Sequence, residues 1–180
     1  MEQMIKKLLR EGLESAGCDC CGYFDMKSLN DYGFDMPLYR YVEKWEDIKL
    51  VFMSPEEYIT AISKGFGNFT RTQTMQAVSR DLIDQYSEAM LAGDKFPVGY
   101  YKEGKSGQEG RHRALAADWL GCEKIPVVVI KELDYDTVMA FVAKYKDYTI
   151  EDFNRMYSEY PFKGVTQIGY NSFQRKLNLL

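Results

Sequence analysis

The chain lacks any long apolar run, any excess of positive charge and any usual set of metal ligands. No stretch approaches the ~18 consecutive apolar residues that span a bilayer, so no membrane-crossing segment is expected. The first residues, MEQMIKKLLREGLESAG, read as a charged amphipathic helix rather than a secretion signal with an apolar centre. The formal net charge is −4 and the isoelectric point about 5.2, which argues against wholesale wrapping of nucleic acid. A local basic patch remains compatible with that balance. There is one histidine, His112, and there are four cysteines, three of them crowded into Cys18-Asp19-Cys20-Cys21. That spacing is not the Cys-x-x-Cys of common zinc sites, and no histidine lies near it in sequence. The expectation is therefore no structural metal at Cys18, Cys20 and Cys21, and reduced thiols in a cytoplasmic protein. No internal repeat and no low-complexity linker occurs.

What is present is an ordinary globular balance, 46% hydrophobic and 28% charged, over 180 residues. That length suits one domain with a real core and some accessory elements. The pattern predicts an α/β (α+β) fold, with strands at 48–53, 98–102 and 125–130 in one small mixed sheet flanked by helices. Residues 48–133 form the predicted core. Residues 1–47 and 134–180 add mostly helical elements. Ser54-Pro55-Glu56-Glu57 is a clean helix start, with Ser54 capping, Pro55 at the first position and Glu57 completing a capping box. A second helix covers 81–92, and Thr149 with Asp152 begins another. Residues 66–79, FGNFTRTQTMQAVS, are polar and threonine-rich and read as a loop. Its Arg71 is a candidate phosphate ligand; the alternative is a plain surface loop. Aromatic residues between Cys18 and Glu46 read as core packing rather than a lid. The tail from Tyr160 packs back on the domain or docks a partner.

The chemistry concentrates at Glu109-Gly110-Arg111-His112-Arg113, where a glycine-rich turn enters an alanine-rich helix over 111–120. Free N–H groups and a partial positive charge occupy the first turn of a helix. Cations there oppose helix stability but suit a bound anion. Gly110, Arg111, His112 and Arg113 are thus the candidate phosphate ligands, and Glu109 and His112 the candidate catalytic groups. Glu109 would hold Mg2+ or accept a proton, and His112 would donate a hydrogen bond. The competing reading is a solvated helix start whose arginines pair with nearby carboxylates.

The run EGRHRALAADWLGCEKIPVVVI resembles the core of the ParB/sulfiredoxin-like superfamily. Its members place Gly-x-x-Arg at a helix start, then an alanine-rich helix, then a strand beginning Ile-Pro-Val. The resemblance reaches upstream to about Lys49 and covers roughly half the chain. It implies a ParB-like nuclease-domain fold and a nucleotide such as ATP, with Mg2+, as cofactor. Members include nucleotide-binding partition proteins, ATP-dependent sulfinic acid reductases, free-serine kinases and proposed nucleases. Partition proteins read Gly-Glu-Arg-Arg, of which Gly110 and Arg113 are retained. Sulfiredoxins read Gly-Cys-His-Arg; Gly110, His112 and Arg113 match, but Arg111 replaces the catalytic cysteine, so no sulfinic acid reductase activity is expected. Glu109 matches the acidic residue that kinase-like members place before the glycine. Three functions follow: an enzyme or domain binding a nucleotide or phosphorylated small molecule, with phosphotransfer or nucleotide hydrolysis as its chemistry; a phage- or plasmid-type DNA-binding protein or nuclease; and a binding module without catalysis.

Overall fold

The structure, a computed structural model, describes residues 19–65, 70–158 and 164–180. The expected N-terminal helix over 3–15 lies outside the described residues. In chain order the elements are β1 (Phe24–Asp25), α1 (Pro37–Tyr39), β2 (Glu46–Met53), α2 (Pro55–Gly65), α3 (Arg71–Gln76), α4 (Arg80–Leu91), β3 (Phe96–Pro97), β4 (Gly99–Lys102), β5 (Gln108–Glu109), α5 (Arg111–Trp119), β6 (Ile125–Glu132), α6 (Tyr135–Lys144), α7 (Ile150–Met156) and α8 (Gln167–Leu177). Tight helical turns at Cys21–Tyr23 and Met26–Tyr32 flank β1, and Arg40–Lys44 continues α1 as a wider turn.

The class is mixed α/β. All three expected strands join one four-stranded sheet, in the order β2-β6-β4-β5. Strands β4 and β5 run antiparallel, with Tyr100 opposite Glu109 and Tyr101 opposite Gln108. A second, two-stranded sheet pairs β1 with β3 in parallel. Strand β6 carries IPVVVI, and Ile125, Pro126, Val127 and Val128 are all buried. A strand covered on both faces needs such an unbroken apolar run.

The chain divides into two compact units. Among the described residues, one comprises 19–28 and 50–129 and the other 29–49 and 130–180. In the first unit, α2 starts as its sequence dictates. Ser54 Oγ accepts from Glu57 N at 3.1 Å and Glu57 Oε2 from Ser54 N at 2.7 Å. One face of α2 buries Tyr58, Ile59 and Ile62. Ser63 Oγ, also buried, lies 2.6 Å from Thr74 Oγ1 and ties α2 to α3.

Helix α3 corrects the expectation of a loop over 66–79. Residues 66–69 are outside the described set, but 71–76 are helical. Thr70 and Gln73 close a full capping box, with Gln73 N donating to Thr70 Oγ1 and Thr70 N to Gln73 Oε1. Threonine has modest helix propensity, yet Thr70 acts as a cap and Thr74 as a buried link, so the composition misled where the spacing was informative.

The thiols require a second correction. Cys20 and Cys122 form a disulfide with Cα atoms 5.6 Å apart, and no described cysteine carries a free thiol. The expected reduced thiols followed from local spacing, whereas this bond joins residues 102 positions apart.

The second unit is built on aromatic packing. Leu38, Val42, Val142, Phe153 and Phe173 form its buried centre. Phe153 meets Phe173 edge-on at 4.8 Å and lies 5.3 Å from Tyr148, within the range where ring pairs attract beyond their buried area. The tail packs back as α8: Gly169, Ser172 and Phe173 are buried, and a Cβ on Gly169 would come within 3.3 Å of Tyr39 N. Caps at Asp134 and Thr149 start α6 and α7. Among the described residues no helix is long and apolar enough to cross a membrane.

Candidate anion-binding site

The site lies within the first unit, where β5 turns into α5. After β4 the chain reverses through Glu103–Gly107, with Lys102 N donating to Gly107 O at 2.8 Å. It returns for only two residues before entering the helix. Gly110 makes that entry at φ +115°, a left-handed conformation that side chains resist. Space excludes a side chain as well: a Cβ on Gly110 would lie 2.8 Å from Gly99 Cα, and one on Gly99 would lie 2.8 Å from Glu109 O. The two glycines thus pass backbone against backbone. The buried Tyr58 fixes the crossing from below, its hydroxyl donating to Glu109 O at 2.8 Å.

This geometry leaves the first turn of α5 without a side-chain cap, the arrangement in which helix-start N–H groups are open to an anion. A cavity of about 150 Å³ opens there, lined by the run 109–113 together with Gln108 and Tyr86 from α4. Every residue of the Glu109–Arg113 motif therefore meets at one place. Arg71 does not join them. It heads α3, is exposed, and its Nε lies 2.8 Å from Glu56 Oε2.

The three basic side chains have separate fates. Arg113 is 8% exposed and its Nη2 lies 2.9 Å from Glu109 Oε1. Much of the Arg113 charge is therefore answered by Glu109, itself largely exposed. His112 Nε2 accepts from Ser79 N at 3.3 Å, which places the ring proton on Nδ1. Burial lowers its pKa below the ordinary imidazole value, and Arg111 beside it adds to that; Glu109 opposes, and Arg113 lowers it further. His112 is thus a neutral donor at pH 7. Arg111, half-buried, makes no ion pair among the described residues and carries the uncommitted positive charge of the cavity.

Among the described residues no group of three or more potential metal ligands gathers. Among the described residues Glu109 is the one carboxylate lining the cavity. A magnesium ion would have to share it with Arg113 and draw its remaining ligands from phosphate oxygens and water. A second cavity of about 380 Å³ lies between α3 and α4, lined by Met75, Val78, Arg80 and Ile83 among others.

Ser79, Tyr58, Tyr86 and Gln108 escaped the sequence reading. Ser79 carries a legible local signal, a serine immediately before a helix. Its bond to His112 spans 33 residues and has none. No protein-family model, curated protein or solved structure matches the chain.

Proposed function

We propose that this chain is a ParB/sulfiredoxin-like domain protein that binds a phosphate-bearing ligand at the start of α5. The observation that carries the reading is the uncapped first turn of α5, opening into a polar cavity beside Arg111, which has no ion-pair partner among the described residues. Backbone N–H groups would hold two phosphate oxygens, Arg111 would supply the charge, and His112 Nδ1–H would donate a further hydrogen bond. The cavity suits one phosphate group. A whole ligand of nucleotide size fills about 300–1,000 Å³, so the rest of ATP or another nucleotide would lie outside it. Catalysis, by phosphotransfer or nucleotide hydrolysis, would require Glu109 to leave Arg113 and take up a substrate proton or a magnesium ion.

Calorimetry with inorganic phosphate, sulfate, ATP and other nucleotides, each with and without Mg2+, tests this, with a DNA duplex run alongside. A phosphate-bearing ligand should bind, and Arg111→Ala should weaken it about ten- to a hundredfold, the range for losing one charge-assisted bond. If no anion binds, or Arg111→Ala changes nothing, the reading fails. DNA binding that inorganic phosphate and nucleotides leave unaffected would favour the DNA-associated alternative.

A further inference from the structure

We propose that residues 19–23 form a redox-releasable strap on the far end of the site helix. The end of α5 is closed by backbone. Cys122 N donates to Ala117 O at 3.0 Å and Gly121 N to Asp118 O at 2.9 Å, with Gly121 at φ +82°. This pair of bonds is the usual glycine-dependent helix stop. The strap grips that stop from another part of the chain. Cys20 is bonded to Cys122. One residue earlier, the two carboxylate oxygens of Asp19 accept from Glu123 N at 2.9 Å and Lys124 N at 3.1 Å. Cys20 and Cys122 are 9% and 5% exposed, so the bond is packed into the unit and a dithiol reaches it through local opening of the strap.

Immediately downstream the chain is held by other means. Strand β1 pairs with β3, and Ser28 Oγ accepts from Val98 N at 2.9 Å. Breaking the disulfide therefore leaves the strap held to the end of α5 by the two Asp19 hydrogen bonds alone, so it opens more readily while the β1 and Ser28 contacts stay in place, a local opening rather than a global one. The reaction is two-electron exchange with a dithiol. The Cys20–Cys122 bond takes up two electrons and two protons to give two thiols, and the dithiol becomes its own disulfide. The inference is independent of any ligand at the other end of α5.

The test uses the full chain, purified without reductant and then titrated with dithiothreitol. Alkylation and mass spectrometry report the thiols, and calorimetry and hydrogen exchange report the consequence. In the wild type, reduction should lower the unfolding midpoint by about 5–15 °C, as expected for opening a long covalent loop in a chain of this size. Exchange at 19–23 should speed up about tenfold or more while β1 and β6 keep their protection. Cys20→Ser/Cys122→Ser should start near the reduced midpoint and lose most of the response to dithiothreitol. That control matters because Cys21 is disulfide-bonded too. Four results would overturn the proposal: free thiols at Cys20 and Cys122 before any reductant is added; stoichiometric zinc on them in place of the bond; an unchanged midpoint once both thiols have formed; or equal loss of protection in β6.

Discussion

Arg113 shows how a motif residue can hold its place in sequence and change its role in space. Its chain identity suggested a fork open to phosphate. Its burial and its 2.9 Å approach to Glu109 make it a brace between the last strand residue and the first helical turn. Arg113→Ala should therefore lower stability as well as affinity, by about 1–3 kcal/mol for an engaged buried group. The exposed Glu109 end of the pair contributes little of that, since water screens it. Urea unfolding measures the change, and a loss under 0.5 kcal/mol would return Arg113 to the role of a solvated arginine. His112 makes a sharper prediction. Its pKa is held down by burial and then by Arg111, so its ring should titrate below 6.5 when followed by NMR, and a ring titrating above that value would contradict the geometry. Both residues could be named from sequence. An arginine paired with a nearby carboxylate is one of the two readings the motif offers, but which arginine takes Glu109 depends on how Gly110 turns the chain, and the contact of His112 with Ser79 has no local signal because Ser79 lies in a different element.

The elements legible in advance were those with a local physical signature. Helix α2 announced itself through Ser54 and Glu57, and β6 through an apolar run that only a doubly covered strand tolerates. Helix α3 hid behind its threonines, although Thr70 and Gln73 carried the same capping logic. The disulfide and the docking of α8 on Tyr39 had no local signal, because each joins residues far apart in the chain. Gly110 and Gly121, which bracket α5, separate two effects that sequence alone confounds. Both have positive φ, but a Cβ at Gly121 meets open space while one at Gly110 meets Gly99 Cα at 2.8 Å. Gly121→Ala should cost about 1 kcal/mol, the conformational term alone. Gly110→Ala adds a backbone clash and should cost about 2–4 kcal/mol, with the helix start displaced. Gly99→Ala, clashing with Glu109 O, should behave like Gly110→Ala. Chemical denaturation of the three variants checks the order, and equal costs for Gly110→Ala and Gly121→Ala would mean that the glycine crossing relaxes freely.

At the scale of the whole molecule, helix caps and the strap share one electrostatic consequence. The Thr137 and Thr149 N–H groups hold the Asp134 and Asp152 carboxyls below the usual aspartate value, and the Ser54 N–H does the same for Glu57. For Asp19, burial pulls upward, but the Glu123 and Lys124 N–H groups outweigh it and the net shift is again downward. A carboxyl whose folded pKa is depressed stabilises the fold above its unfolded value and loses that contribution as pH falls through the folded one. His112 adds a separate step. Its folded pKa is also depressed, so the folded state resists protonation, and its contribution is present above about 6.5 and declines below it. Stability should accordingly be flat from neutral pH to the mildly alkaline range, sag slightly below pH 6.5, and fall steeply once pH drops under the ordinary carboxyl values of 3.8 for aspartate and 4.5 for glutamate. Urea midpoints measured across that range trace the curve. His112→Gln should erase the sag without touching the acid limb. Asp134→Asn with Asp152→Asn should shallow the acid limb without touching the sag. A protein that grows more stable between pH 5 and pH 3 would show that these carboxylates are not the caps holding the helices.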